Sequence, residues 1–447
     1  MTDEKFEFTG KIKKNLIIFL IIGVVFVVLG IVIINSDGGH HELATVDVEH
    51  ASESPAMEAE AHGESHTGGG EAHHSETPVW LKAVKTNLWI NNVFFAGLAL
   101  IGVFFVAIQY VAQAGWSAPI KRVAEPFGYW LPVAGVLMLG LFFWAGHDIF
   151  HWTHDYLYDE FLPDGSPNPQ YDAIIAEKSW YLGTPFYLGR MIGFFVVWFL
   201  MFKMIRKLSL EEDIHGGDQY WRRMVKWSAG FLVFFAVSSS MSAWDWVMSI
   251  DTHWFSTMFG WYNFASWWVA GLAAITLLIL FLKDLGHLKM VNANHLHDMG
   301  KFIWGFSIFW TYIWFSQFLL IYYANIPEES IYFVERLTSP QYRPVFFINL
   351  IVNFFFPFLF LMTRDAKRHA VFLKIVCIVI VFGHWLDFYL MVTPGVMKED
   401  GSFGFLEIGM LLVFASAFSW VVLSQLSKAS IIARNHPMME ESLHHHI

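Results

Sequence analysis

Among 447 residues there is a single cysteine, Cys377. It excludes an internal disulfide, a CxxCH site for covalent haem and a thiolate set for an iron–sulfur cluster, so a redox centre must be non-covalent or belong to another chain. Charge is scarce as well. Asp, Glu, Lys and Arg make up 15% of the chain against 55% hydrophobic residues, a balance that would leave a water-soluble protein with too much apolar surface. The formal net charge of −11 argues against a nucleic-acid partner, because phosphate binding needs concentrated Lys and Arg. Few Gly or Pro residues break the apolar runs; Pro132 stands near a helix start and Pro357 inside one run.

What is abundant is long apolar sequence. Ten runs, near 16–34, 88–112, 127–150, 186–205, 227–250, 258–282, 302–323, 345–362, 371–392 and 403–423, are each long enough to cross a bilayer. The expected fold is an all-α integral membrane protein of ten transmembrane helices. Lys and Arg distribute unevenly among the alternating loops. One side takes 21 of the 28, leaving only Lys82, Lys85, Lys178, Arg190, Arg336, Arg343 and Lys398 on the other. The positive-inside rule places the first side, and both termini with it, in the cytoplasm. The first run is followed by Asn35-Ser36-Asp37-Gly38-Gly39 and not by an A-x-A cleavage site, which reads as a retained anchor.

The expected organisation is a cytoplasmic tail and anchor over 1–35, a His/Glu-rich loop over 36–86, bundles over 87–255 and 256–392, a tenth helix within 393–426 and a tail over 427–447. The loop holds His40, His41, His50, His62, His66, His73 and His74. It cannot bury a core, and reads as a solvated tether that orders against a partner. His444–His446 receive no role.

Ionisable groups within spans are costly and mark function by default. The topology aims several of them at the non-cytoplasmic half: His147, Asp148 and His151 at the end of the third span, Asp245 and Asp251 at the end of the fifth, His384 and Asp387 in the ninth, and Glu407 in the tenth. Ser238, Ser242, Asp245 and Ser249 recur on one helical stripe that faces a neighbour or a wet cavity. Lys374, Cys377, His384 and Asp387 form a comparable row, with His384 and Asp387 spaced to exchange a proton. These residues are candidates for proton transfer or for the wall of a quinone pocket; the competing reading is helix–helix packing. His147 and His151 at i and i+4 could ligate a metal from one helical face, but they lie at the interface, where water satisfies such groups, and no metal site is assigned; His147 is the one mate for His384 in a single haem b site, too few histidines for a two-haem membrane cytochrome. Of the 21 Trp, those around the fifth and sixth spans suit packing, interfacial belts or a flat quinone pocket.

Near residue 325 the seventh span meets the surface. Pro327 restricts Ile326 to extended geometry and ends the helix, Asn325 is placed to bond freed carbonyls, and Glu328 and Glu329 emerge into water. Asn325, Glu328, Glu329 and Arg336 are the candidates for contact with a partner.

Two segments carry a resemblance. Trp244-Asp245-Trp246-Val247-Met248-Ser249-Ile250-Asp251-Thr252-His253-Trp254-Phe255-Ser256-Thr257, and Tyr322-Tyr323-Ala324-Asn325-Ile326-Pro327-Glu328-Glu329-Ser330 with Arg336 after it, resemble the signatures of the NrfD-like membrane subunits of bacterial alternative complex III, most closely the ActF type. The resemblance implies two four-helix bundles, spans 2–5 and 6–9, with two flanking helices, in the bacterial inner membrane. It also implies a respiratory quinol:cytochrome c oxidoreductase, or one with another periplasmic acceptor. Menaquinol or another quinol would be its substrate, an ActC-like membrane subunit its partner, and haem c and iron–sulfur clusters would lie in further subunits. Within that frame this chain binds quinol or conducts its protons and scaffolds its partners. A secondary transporter or ion-conducting protein is the alternative class.

Overall fold

The computed structural model describes residues 4–49 and 77–446, with backbone alone over 37–49; the centre of the His-rich loop lies outside the described residues. Among these residues the chain is helical, with only isolated bridges between extended residues. Ten helices are long and apolar enough to cross a membrane. In chain order they are α1 (Gly10–Glu49), α2 (Val79–Val111), α3 (Lys121–Ile149), α4 (Thr184–His215), α5 (Asp218–Trp246), α6 (Phe259–Asp284), α7 (Ala293–Ala324), α8 (Arg343–Phe360), α9 (Ala370–Met397) and α10 (Phe405–Leu426).

Helices α2 to α5 and α6 to α9 form two groups that meet along α2 and α5 of the first and α6 and α9 of the second. Burial follows that plan. The apolar stretch of α2 is 83% buried within the protein, whereas that of α1 is 11% buried. Between Leu16 and Ile34 helix α1 is apolar on every side, as suits lipid, and it joins the rest chiefly through α10, with a smaller contact to α2. A Cβ added at Gly30 would lie 2.4 Å from the Leu406 nitrogen, and one at Gly23 2.9 Å from the Gly409 oxygen. The two backbones therefore touch, which is how apolar helices gain dispersion energy where lipid supplies no hydrophobic drive.

Several boundaries differ from the sequence expectation. Helix α1 continues past residue 35 to Glu49, and α2 starts at Val79, well before residue 88. The early start of α2 is stabilised by Lys85, placed in a loop by its charge but in fact buried and bonded to Asp148 at 2.5 Å. Helix α8 contains a π turn, Ile351–Phe355, immediately before Pro357. Proline removes one backbone donor and clashes with the carbonyl four residues earlier, and a wider turn accommodates both effects. Between α7 and α8 lies a surface helix, Pro327–Thr338, with Tyr332, Phe333 and Arg336 turned inward, Glu328 exposed and Glu329 half-buried.

Candidate functional site

Asp387, on α9, is fully buried, and its donors come from three other helices. Tyr262 of α6 donates its hydroxyl to Oδ1, Asn349 of α8 donates Nδ2 to the same oxygen at 2.9 Å, and Trp310 of α7 donates Nε1 to Oδ2 at 3.0 Å. Asn353, one π turn beyond Asn349, donates to its amide oxygen at 2.6 Å. Glycine at 383 makes room for this pair, since a Cβ there would stand 2.3 Å from Asn353 Oδ1. No Lys or Arg is among these partners, so the carboxylate is held by neutral donors alone. His384, also fully buried, pairs its Nδ1 with Ser266 Oγ at 3.1 Å and packs its ring against Trp310, leaving Nε2 without a partner. His384 and Asp387 thus share a face of α9 and are linked through Trp310, which donates to Asp387 and packs on the His384 ring.

Asp245 is built differently. Arg190 of α4 holds it with Nε at 2.8 Å and Nη2 at 3.1 Å, a two-point clamp with both side chains buried. The stripe on α5 faces a protein neighbour: Ser238 accepts from Trp198 Nε1 at 2.9 Å, and Ser242 bonds the Ser239 carbonyl. Ser249 lies beyond the end of α5, in a tight turn, and donates to the Asp245 carbonyl at 2.6 Å. Glu407 caps the start of α10 by accepting the Gly404 N–H at 2.7 Å, and its other oxygen accepts from Asn87 at 3.0 Å. Lys374 pairs with Asp284 near the Lys/Arg-rich end, ten residues and roughly 15 Å along the helix from His384. It is not part of the Asp387 cluster.

The opposite end opens into a vestibule of about 800 Å³. His147, Asp148 and His151 line it together with His154, Asp251, His253, Trp254, Tyr332 and Glu335. The i, i+4 spacing of His147 and His151 does not put them on one helical face. Helix α3 stops at Ile149, Phe150 is extended, and His151 begins a new turn, so the i, i+4 relation on one helix is lost. The His147 ring instead approaches that of His154 at 5.2 Å, and its Nδ1 lies 3.1 Å from Thr153 Oγ1. Burial, then the neighbouring His154, holds the His151 imidazole below its usual pKa. Because His147 lines the vestibule and His384 does not, the two imidazoles do not form a haem site either.

Arg336 connects the vestibule with the Asp387 shell. It is 2% exposed, so the expectation that it contacts a partner is replaced by an internal role. Its guanidinium donates to the carbonyls of Leu390 and Met391 on α9 at 2.8 and 3.1 Å, and to Asp251 Oδ2 at 3.3 Å. A water-sized cavity of about 10 Å³ lies between Arg336, Tyr332, Gln317, Asn349 and Tyr262. Tyr332 lines this cavity and the vestibule alike, and stacks on Trp254 at 4.0 Å. Burial pushes the Tyr332 phenol above its usual pKa, which keeps it a neutral donor.

The turn after α7 has the expected geometry. Asn325 adopts the left-handed conformation that closes the helix with its own N–H bonded to Ile321, Ile326 is extended, and the two glutamates stand in the first turn of the surface helix, Glu328 exposed and Glu329 half-buried. Most of the Trp side chains around α5 and α6 are used in packing. Trp246 stacks on Phe195, Trp267 on Phe388 and Trp268 on Phe264.

Set against family models and against curated proteins, the sequence matches none of them. The functional reading therefore stands on the residues. Arg190, Tyr262, Trp310, Asn349 and Asn353 were not anticipated as site residues. Asn349 and Asn353 did carry a signal, since two asparagines at i and i+4 in an apolar run need partners.

Proposed function

We propose that this chain is a membrane subunit of a respiratory quinol oxidoreductase, and that within it Asp387 passes protons toward the vestibule. The observation that carries the reading is a carboxylic acid enclosed in the second bundle with neutral donors and no counter-charge. In such a site binding and releasing a proton changes the local charge directly, whereas Arg190 gives Asp245 a counter-charge. The cavity beside Tyr262 and Asn349 is at the lower limit for one water, which would carry a proton from the Asp387 shell to Tyr332 and Asp251. Beyond Asp251 the imidazoles and carboxylates of the vestibule can accept it.

The two segments that resemble the NrfD-like subunits also support this reading. One supplies Asp251 and Trp254; the surface helix that begins in the other supplies their partners Arg336 and Tyr332. The resemblance adds an orientation, with the vestibule on the periplasmic side of a bacterial inner membrane and both termini in the cytoplasm. It also adds an ActC-like subunit and haem c and iron–sulfur subunits as partners, with Glu328 and Glu329 facing them. A quinol ring does not fit the cavity beside Asp387, so quinol chemistry is assigned to the partner membrane subunit and proton conduction to this one. The transporter alternative calls for half-helices broken at mid-membrane; among the described residues α8 departs from regular helix by one π turn and α3 by the tighter stretch Glu125–Trp130 near its start, and both continue as helices beyond it.

The test is Asp387→Asn in the intact complex. Proton release linked to quinol oxidation should fall by about 10²-fold, with assembly unchanged. Wild-type turnover and coupling would remove the assignment.

A further inference from the structure

The Lys/Arg-rich end of the first bundle hides an ionic cluster. Lys121 and Arg122 of α3 lie with Glu125 of the same helix against Arg206, Glu212 and Asp213 of α4. The Lys121 ammonium sits 2.5 Å from Glu212, with side-chain exposures of 2% and 0%, and the Tyr110 hydroxyl donates to the same carboxylate at 3.1 Å. Nothing in the proposed proton route uses these groups. Lys121 and Tyr110 line a small cavity of about 10 Å³, and Ser117, His436 and Met438 are among its other walls.

His436 and Met438 belong to a segment that crosses the whole end of the molecule. The Arg434 N–H bonds Asp213 Oδ1 at 3.1 Å and the Asn435 amide the Asp213 carbonyl at 3.0 Å. The His436 ring packs on Tyr110 at 5.4 Å. Further on, Ser442 donates to the Trp116 carbonyl and meets His295 Nε2, both at 2.9 Å. His445, given no role by sequence, reaches Asp298 on α7 at 2.7 Å, and its carbonyl accepts from Asn294 at 3.0 Å. The segment is thus anchored in both bundles, with its centre over the cavity.

We propose that residues 434–446 are a stopper. Docked, they close the entry to the Lys121–Glu212–Tyr110 cluster; undocked, they admit water to the first bundle from the Lys/Arg-rich end. This does not rest on the quinol reading.

Thiol labelling tests it, because the native Cys377 is fully buried and serves as an internal control. Ser117→Cys places a thiol on the cavity wall, where the side chain is now 3% exposed. In the full chain its reaction with a water-soluble maleimide should be slow, and ending the chain after Ala433 should speed it at least about tenfold, as loss of a local closure does. Cys377 should stay unreactive in both. If ending the chain also exposes Cys377, the structure has been damaged and the decision passes to His436→Ala/Met438→Ala in the full chain, which should speed labelling of Ser117→Cys while Cys377 stays protected. Equal Ser117→Cys rates in the full chain and in whichever variant keeps Cys377 protected would overturn the proposal.

Discussion

Replacing Arg190 by Met should be among the most damaging single changes in the protein, and adding Asp245→Leu should repair most of the damage. The clamp comprises two N–H···O contacts at 2.8 and 3.1 Å between side chains 6% and 1% exposed. Removing the guanidinium leaves a carboxylate enclosed without a counter-charge, a change that costs about 3–5 kcal/mol. The loss of cover over the Tyr181 ring, which the guanidinium meets at 3.9 Å, adds to this. Removing both charges restores an apolar contact, so the double variant should lie within about 1–2 kcal/mol of the parent and the coupling between the sites should exceed about 2 kcal/mol. The assay is a double-variant cycle of unfolding in mixed micelles, followed by tryptophan fluorescence. A single variant within about 1 kcal/mol of the parent, or a double variant as unstable as the summed singles, would refute the reasoning.

Acidification should loosen the segment over the Tyr110 cavity. Burial holds His436 at a pKa of about 3, Lys121 and Arg122 lower it further, and Glu125 opposes them. Since the docked imidazole is neutral and an undocked one titrates near 6.5, its contribution is full above about pH 6.5 and is lost by about tenfold per pH unit as pH falls toward 3, read as faster labelling of Ser117→Cys. His436→Gln should flatten that dependence. Gly97→Ala should destabilise by about 1–3 kcal/mol, because its Cβ would lie 2.0 Å from the Trp267 indole, whereas Gly140→Ala, with nothing within 4 Å, should leave the melting temperature unchanged. Glu328→Gln/Glu329→Gln should weaken recovery of partner subunits on purification without altering the melting behaviour of this chain, and unaltered recovery would remove these residues from the partner surface.

The membrane helices were legible because each is an apolar run of bilayer length, a signal independent of what packs against it. Their ends were less legible. Lys85 reads as a loop residue until Asp148, 63 positions away, is known to meet it. The surface helix Pro327–Thr338 escapes a search for spans because it is too short and too polar to be one. Its marks were Pro327 at the first turn, two glutamates after it and apolar side chains at 332 and 333. At the site, sequence depth alone marked Asp387 and His384 as costly. It could not supply Tyr262, Trp310 and Asn349, which arrive from three separate helices with no shared period. Nor could it separate Asp245, clamped by Arg190, from Asp387, held by neutral donors, since that difference lies in the neighbours.

The most direct measurement of the central claim is infrared difference spectroscopy of the intact complex across quinol oxidation, comparing the parent with Asp387→Asn and Asp245→Asn. The account predicts a protonated-carboxyl band that appears or shifts on turnover, disappears in Asp387→Asn and persists in Asp245→Asn, with proton release lost only in the first. A band unaffected by Asp387→Asn, with proton release intact, would contradict it.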